Sequence, residues 1–485
     1  MTRAAGRALA ALTALLAVGC ASEGDAPGAS AGGFPAGFAE RVDSIARAAV
    51  AAGPLAGLSI AVARDGEPVF VGTWGVADAT TGAEVDRSTV FELASVTKLF
   101  TGVSAALLAD EGLLDLEAPL ASLVPELAGL PHASSVRARH LLTHTSGIPD
   151  FEPAAIDAWL DRRKPVTAED AFAAARREPE FEAGASWAYS NTGFRIVGEA
   201  IARLVGEPYA RFVRDRITGP LGLDDTYACD QRPEDPRRAR VHEVAEGGFE
   251  ISAFDGQAGF TSEGGLCGTI EDLVRLPGAL TGGGPLSGPA LDRMLSPTRL
   301  SSGPTLDYGL GVRLGGVEGH PAWGHTGGLG TYWAALLHFP EDALTIAVLQ
   351  NTEGAGQDAL TVAGAVVRAA LDLGPPELEP RDLEDLERFS GRYDDEGGGF
   401  DIALVDDSLV RTRGARHALV PLAPAEFGWH LFPMDRFRFH EVEGEIVGVS
   451  EYYNGLFGAY FPRLHALEPV PAPQDRRPPE RSTME

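Results

Sequence analysis

Lysine is nearly absent from this chain of 485 residues: of its 40 basic residues only Lys98 and Lys164 are lysines, and the rest are arginines. Basic charge is itself scarce, because 69 Asp and Glu leave a formal net charge of −29. A surface so acidic repels phosphate backbones and anionic lipid headgroups, which argues against nucleic acid as a partner and against docking to membranes through basic patches. Cysteine is rarer than in most chains of this length, with only Cys20, Cys229 and Cys267. Three sulfurs so spaced do not make a four-ligand zinc site. After the N-terminal segment, no apolar run approaches the roughly 20 residues that a membrane-spanning helix needs. The remaining composition, 44% hydrophobic and 22% charged, is that of an ordinary globular protein. Its length suggests about two to four domains.

The first residues read as an export signal. Arg3 and Arg7 form a basic start, Ala8 to Val18 is an apolar stretch too short to span a bilayer, and Gly19-Cys20 closes it. A small residue before a cysteine is the arrangement of a bacterial lipoprotein signal over residues 1–19, with Cys20 lipidated; a plainly secreted protein is the rival reading. Residues 20–35, rich in Gly, Ala, Ser and Pro, read as a flexible tether. With Cys20 lipidated, Cys229 and Cys267 remain as a pair in an oxidising compartment, either bridged or as two buried thiols.

Residues 36–52 place Phe38, Val42, Ile45 and Ala49 at helical spacing, with Gly53-Pro54 as a stop. Leu58–Ala63 and Pro68–Val76, joined across Asp65-Gly66, predict a hairpin. A second hairpin is predicted from Thr331–Phe339 and Ala343–Gln350, followed by a helix from Ala355 to Leu373. Helix-then-hairpin early and hairpin-then-helix late predict one antiparallel sheet flanked by helices, completed by distant parts of the chain. A largely α region is inserted from 96 to about 300, which makes residues 36–374 an α+β domain. After a charged linker at 375–388, residues 389–468 hold short runs rich in β-branched and aromatic residues, predicting a small all-β barrel. The tail, 469–485, has the composition of a disordered segment.

Three patterns can carry chemistry. The run after Phe91 puts Ser95 near a helix N-terminus with Lys98 one turn on, on the same face. A helix dipole favours negative charge developing on that hydroxyl, and a desolvated lysine can accept its proton, which an arginine never does. Lys164, within a run of charged residues, reads as a solvated surface group. The second pattern, Tyr189-Ser190-Asn191, offers a phenol that can relay a proton and an amide that can fix a carbonyl, in a loop entering a helix near Phe194. The third is Gly324-His325-Thr326-Gly327-Gly328, read as a turn before the strand at Thr331, where glycines let backbone N–H groups approach a ligand.

In this order the three patterns resemble the active-site motifs of the serine β-lactamase and penicillin-binding-protein superfamily, in its class C β-lactamase-like, DD-peptidase and esterase branch. Leu141 to Pro149, Ser262-Glu263-Gly264-Gly265-Leu266 and His325 to Asn351 resemble the same family, so the likeness covers residues 36 to 373. It implies that Ser95 attacks a carbonyl with Lys98 as base, that Tyr189 passes the proton to the leaving group, and that Asn191 orients the substrate. Backbone N–H groups of Ser95 and Gly328 would form the oxyanion hole, while His325, Thr326 and Gly327 would line the far wall against the substrate's polar end. No cofactor is implied. His140 and His144 stand four apart, but the resemblance puts His144 in a structural loop rather than at a metal.

His325 departs from β-lactamases, which usually carry lysine there. A histidine is largely neutral at pH 7, so a fixed charge for a substrate carboxylate is weakened. The expectation is an exported hydrolase of an amide or ester, acting on a small molecule or peptide with a carbonyl centre. It is D-alanyl-D-alanine carboxypeptidase-like or esterase-like, with a β-lactamase or a non-catalytic binder of peptidoglycan fragments or β-lactams as alternatives. The C-terminal module resembles the lipocalin-like domains appended to some of these hydrolases, implying an accessory, a modulator of substrate access or a holder of an apolar ligand.

Overall fold

The structure, a computed structural model, describes residues 33–465 except 53–54, 152, 155, 159–163, 254–258, 330–331, 353–357, 395–398, 414 and 430–431. The signal at 1–19, Cys20 and the tail at 469–485 lie outside the described residues. The chain forms two units, one of residues up to Pro376 together with Tyr452–Ala459, the other of Glu377–Glu451 and the residues from Tyr460 on.

The first unit contains α1 (Phe38–Ala52), β1 (Gly57–Arg64), β2 (Glu67–Asp78), α2 (Thr97–Asp110), α3 (Asn191–Val205), β3 (Arg313–Val317), β4 (His320–Leu329), β5 (Tyr332–Phe339), β6 (Leu344–Gln350) and α4 (Ala359–Ala370). Its sheet runs β3-β4-β5-β6-β1-β2 and is antiparallel throughout. Ile60 of β1 and Ala335 of β5 both face Val348, so the two predicted hairpins meet along β6. β6 is buried along its whole length, which is why it reads as an unbroken apolar run rather than an alternation. α1 and α4, which pack on each other, and the helix Ile270–Thr281 lie against these strands. α1 buries Phe38, Val42, Ala46 and Ala49. Phe34 is buried too, its ring stacked on Phe38 at 4.3 Å, so the end of the stretch read as a tether belongs to the fold.

The inserted region is less purely helical than its sequence suggests. It holds a three-stranded sheet of Val90–Glu92, Leu266–Thr269 and Tyr227–Ala228, and a hairpin of His242–Ala245 with Gly248–Ile251. Strands of two to four residues are too short to show a period. The small sheet matters because Glu92 pairs with Cys267 and the Leu93 N–H donates to the Leu266 carbonyl at 2.8 Å, which fixes the chain just before Ser95. Cys229 and Cys267 are joined in a disulfide beside Val90 and Tyr227.

In the C-terminal region, eight antiparallel strands follow one another from Gly391–Tyr393 to Leu456–His465, and the first pairs with the last to close a barrel. Phe389, Tyr393, Phe400, Phe427 and Phe439 are all buried, their rings in mutual contact at 4.7–5.9 Å. The linker reading overlaps this region, because Leu386–Phe389 forms a 3-10 turn that delivers Phe389 to the core.

The bridge closes a loop of residues 229–267 that contains Glu263, whose carbonyl accepts from Lys98. Replacing Cys229 and Cys267 together by alanine is expected to lower the unfolding free energy by about 2–4 kcal/mol, measured by denaturant titration. Peptide mapping after thiol labelling of denatured, unreduced protein should leave both cysteines unlabelled.

Candidate active site

Ser95 sits in a 3-10 turn, Ala94–Val96, that runs directly into α2. Ala94 has φ +45°, a left-handed conformation unusual for a residue with a Cβ. Such local strain is characteristic of functional turns. α2 is buried on all sides from Thr97 to Leu108, so Lys98, with no exposure at all, lies inside the protein while Ser95 remains partly open.

The amine of Lys98 has three neighbours: Ser95 Oγ at 3.1 Å, Asn191 Oδ1 at 2.6 Å and the Glu263 carbonyl at 2.6 Å. The last two can only accept, whereas the serine hydroxyl can accept or donate. An ammonium there donates three bonds; an amine donates two and accepts the serine's proton. The proton can therefore pass between Ser95 and Lys98 without any hydrogen bond being lost. On the other side of Ser95, Tyr189 Oη donates to Oγ at 2.8 Å.

Each partner of Lys98 is itself held. Asn191 is the first residue of α3, so the helix begins at the motif and not near Phe194. Its Nδ2 donates to Asp150 Oδ2 at 3.0 Å, which turns Oδ1 toward Lys98, and Asp150 Oδ1 accepts the backbone N–H of Asn191 at 3.2 Å. A carboxylate at a helix N-terminus is favourably placed. The carboxylate of Glu263 pairs with Arg195 of α3 at 3.1 Å, a buried ion pair, and Thr101 of α2 donates to the neighbouring Ser262 carbonyl at 2.6 Å.

The His-Thr-Gly motif lies in the middle of β4, a strand between β3 and β5, and not in a turn. Three glycines within five residues (Gly324, Gly327, Gly328) hide the strand from propensity reasoning. Gly327 has a steric reason: a Cβ there would stand 2.3 Å from the Leu93 carbonyl and 3.1 Å from the Ser95 nitrogen. The strand thus lies directly on the turn that carries Ser95. Ala94, Ser95, Asn191, Phe260, Glu263, Gly264 and Gly328 line one cleft, which brings Ser95 and Gly328 to the same opening.

Thr326 is half-buried and lines a second pocket, of about 230 Å³, with Arg313, Trp333 and Phe457. Arg313 donates through Nη1 to the carbonyls of Phe457 and Gly458 at 2.6 and 2.7 Å, and its guanidinium lies 5.9 Å from the Tyr189 ring. This cation was not evident from the sequence, where one arginine among so many carries no signal. His325 is wholly buried, and both ring nitrogens are engaged, one with Tyr308 and one with the Thr326 carbonyl. Burial, reinforced by Arg313 and Lys98, holds its imidazole well below the ordinary range. His144, at φ +60°, is likewise buried, and its ring lies 4.3 Å from that of Tyr189. Burial, with Lys98, His325 and Arg313 adding to it, pushes His144 down as well.

Asp150 and Tyr308 are the other residues that sequence reasoning passed over. Asp150 directly follows the stretch ending at Pro149, and a carboxylate there was the available clue. Among the described residues, no group of three or more His, Cys, Asp or Glu is placed to hold a metal ion.

The sequence model of the Beta-lactamase family matches residues 42–371. Penicillin-binding protein 4* of Bacillus subtilis is 28% identical over 311 residues, covering 61% of this chain and 68% of that protein. A D-aminopeptidase of Gluconobacter oxydans is 24% identical over 73% of this chain and 66% of its own length. Esterase EstB of Burkholderia gladioli is 31% identical over 41% of this chain and 54% of its own. The chain therefore spans about two thirds or less of the length of these relatives. Among solved structures, D-amino acid amidase from Ochrobactrum anthropi SV3 superposes with a TM-score of 0.61 at 27% identity, over 69% of this chain and 98% of the amidase.

Replacing Gly327 by alanine is expected to push β4 away from Ser95 and lower kcat on any substrate by about a hundredfold. Near-native circular dichroism with the activity lost is the signature to look for; unchanged turnover would show that the close approach is not needed.

Proposed function

Because the chain belongs to the β-lactamase family, we propose that it is an exported serine hydrolase that cleaves an amide or ester through an acyl-enzyme on Ser95. The observation that carries this reading is the double approach to one hydroxyl, Lys98 Nζ at 3.1 Å and Tyr189 Oη at 2.8 Å from Ser95 Oγ. Lys98 takes the serine proton as Oγ attacks the substrate carbonyl. The backbone N–H groups of Ser95 and Gly328 hold the oxyanion, each donor contributing about 3–4 kcal/mol in comparable sites. Tyr189 passes a proton to the leaving amine or alcohol, and water then releases the acyl group.

The natural substrate is proposed to be a peptide of D-alanyl-D-alanine type or a related amide, with small esters as the second class. Arg313 supports the first, since it sets a cation in the pocket beside Thr326 where a substrate carboxylate can reach it, while His325 supplies no charge. The relatives named as D-aminopeptidase and penicillin-binding protein support the same choice.

Mass spectrometry of protein mixed with a reactive ester, a D-Ala-D-Ala peptide and a β-lactam is expected to show an acyl increment on Ser95 with at least one of them, and none in Ser95→Ala. Lys98→Arg keeps a charge but not a removable proton, and should cut kcat/KM by about a hundred- to ten-thousandfold. Arg313→Gln should raise KM for the carboxylate-bearing peptide and leave the neutral ester nearly unchanged. Absence of acylation by all three compounds, with Ser95→Ala indistinguishable from the parent, would leave a binding protein instead.

We further propose that the chain is exported and anchored through a lipidated Cys20 on the periplasmic face of a bacterial membrane, with a free periplasmic or secreted protein as the alternative. The basic-apolar-Gly19-Cys20 sequence and the Cys229–Cys267 disulfide support an oxidising, exported location. Cys20→Ser is expected to move the protein from the membrane to the soluble fraction; equal membrane retention would refute the anchor.

A further inference from the structure

A chain of hydrogen bonds joins the Tyr-Ser-Asn and His-Thr-Gly motifs, and its two ends set its direction. The backbone N–H of Ser190 donates to Nδ1 of His144 at 3.0 Å. Nε2 of His144 lies 3.0 Å from Oη of Tyr308, and that oxygen lies 3.1 Å from Nε2 of His325. Nδ1 of His325 lies 2.6 Å from the Thr326 carbonyl oxygen. A peptide N–H can only donate and a carbonyl can only accept. His144 therefore accepts on Nδ1 and carries its proton on Nε2. His325 carries its proton on Nδ1, and burial beside Arg313 and Lys98 disfavours a second one, so Nε2 accepts. Tyr308 accepts from the first and donates to the second, so all links point the same way and both imidazoles are neutral, in opposite tautomers.

We propose that His144, Tyr308 and His325 are positioning residues, a directional strut that sets the spacing between the segment bearing Tyr189 and Asn191 and the strand bearing Thr326 to Gly328. His325 acts through this strut and not by binding substrate. Its complete burial, shared with Tyr308 and, within 1%, with His144, leaves it no surface to offer. The rings of Trp187, Tyr189, Phe194 and Tyr308 pack around His144 at 4.3–5.5 Å, so a displaced imidazole displaces the phenol that touches Ser95. The charged and titratable groups facing the two imidazoles are Lys98, Arg313 and Tyr308, with Tyr189 beside them. A second proton on His144 would set N–H against the Ser190 N–H, and one on His325 would set N–H against the Tyr308 hydroxyl. The same logic explains why histidine, not lysine, stands at 325: a protonated lysine has no acceptor, so the tyrosine hydrogen would have nowhere to go.

Long-range proton–nitrogen NMR of the full chain reads the tautomers directly. Between pH 5.5 and 8.5, roughly one unit or more either side of the ordinary imidazole value, His144 and His325 are expected to stay neutral and to show opposite tautomers. Matching tautomers, or titration of either ring in that range, would overturn the strut. This readout needs no turnover, so a chain without hydrolase activity would defeat the preceding reading and leave the strut standing. With a reactive ester, Tyr308→Phe should lower kcat by on the order of ten- to a hundredfold with KM moving less than about threefold. His325→Gln, whose amide oxygen can accept from Tyr308, should retain more kcat than His325→Leu. Wild-type kcat in Tyr308→Phe, or no advantage of Gln over Leu, would reduce these residues to packing.

Discussion

Lys98 has no contact with solvent, and a lysine amine moved from water into a protein interior costs several kcal/mol unless its hydrogen-bonding capacity is met. Much of the surrounding architecture meets that demand. α2 carries the amine into the core, α3 begins at Asn191 so that its amide arrives beside the amine, and Glu263 presents its carbonyl while its carboxylate is anchored on Arg195. Asp150 then decides which end of the Asn191 amide faces Lys98. The hydroxyl of Ser95 is the one neighbour of Nζ that can reverse its role, and this makes the proton mobile in an otherwise fixed cage.

The fold was legible where the chain follows a period over enough residues. The hairpins of Leu58–Ala63 with Pro68–Val76 and of Tyr332–Phe339 with Leu344–Gln350, and the helix over Phe38–Ala52, all emerge from apolar spacing. β4 was not legible, because glycine is a poor strand former and two of the strand's glycines serve close backbone approach instead, Gly327 to the Leu93–Ser95 turn and Gly324 to the Leu336 carbonyl. Packing against a backbone leaves no hydrophobic signature. The small sheet of the inserted region failed to show itself because its strands are shorter than one detectable period.

Within the site the same division holds. Ser95 and Lys98 are near in sequence, so helix geometry alone pairs them. Asp150 meets Asn191 across 41 residues, Glu263 meets Lys98 across 165, and Tyr308 meets His144 across 164. No local rule relates residues so far apart, and the residue types are common ones. The motifs therefore marked residues that the fold gathers around Ser95 Oγ and Lys98 Nζ, while the pairings that hold them, and Asp150 and Tyr308 themselves, emerge only from the folded chain.

Lysine scarcity and the histidine in place of a motif lysine turn out to concern the same volume. Lys98, His144, His325 and Arg313 crowd one buried region, and each additional charge there would work against the others. A lysine at 325 would add a cation within reach of Lys98 and Arg313, and it would lack the acceptor that Tyr308 requires. A neutral imidazole avoids both costs and leaves Arg313, held by two carbonyls, as the cation that lines the Thr326 pocket. On the proposed function, charge recognition and proton transfer would thereby fall to different residues: Arg313 stays protonated in any protein environment, whereas Lys98 can exchange its proton.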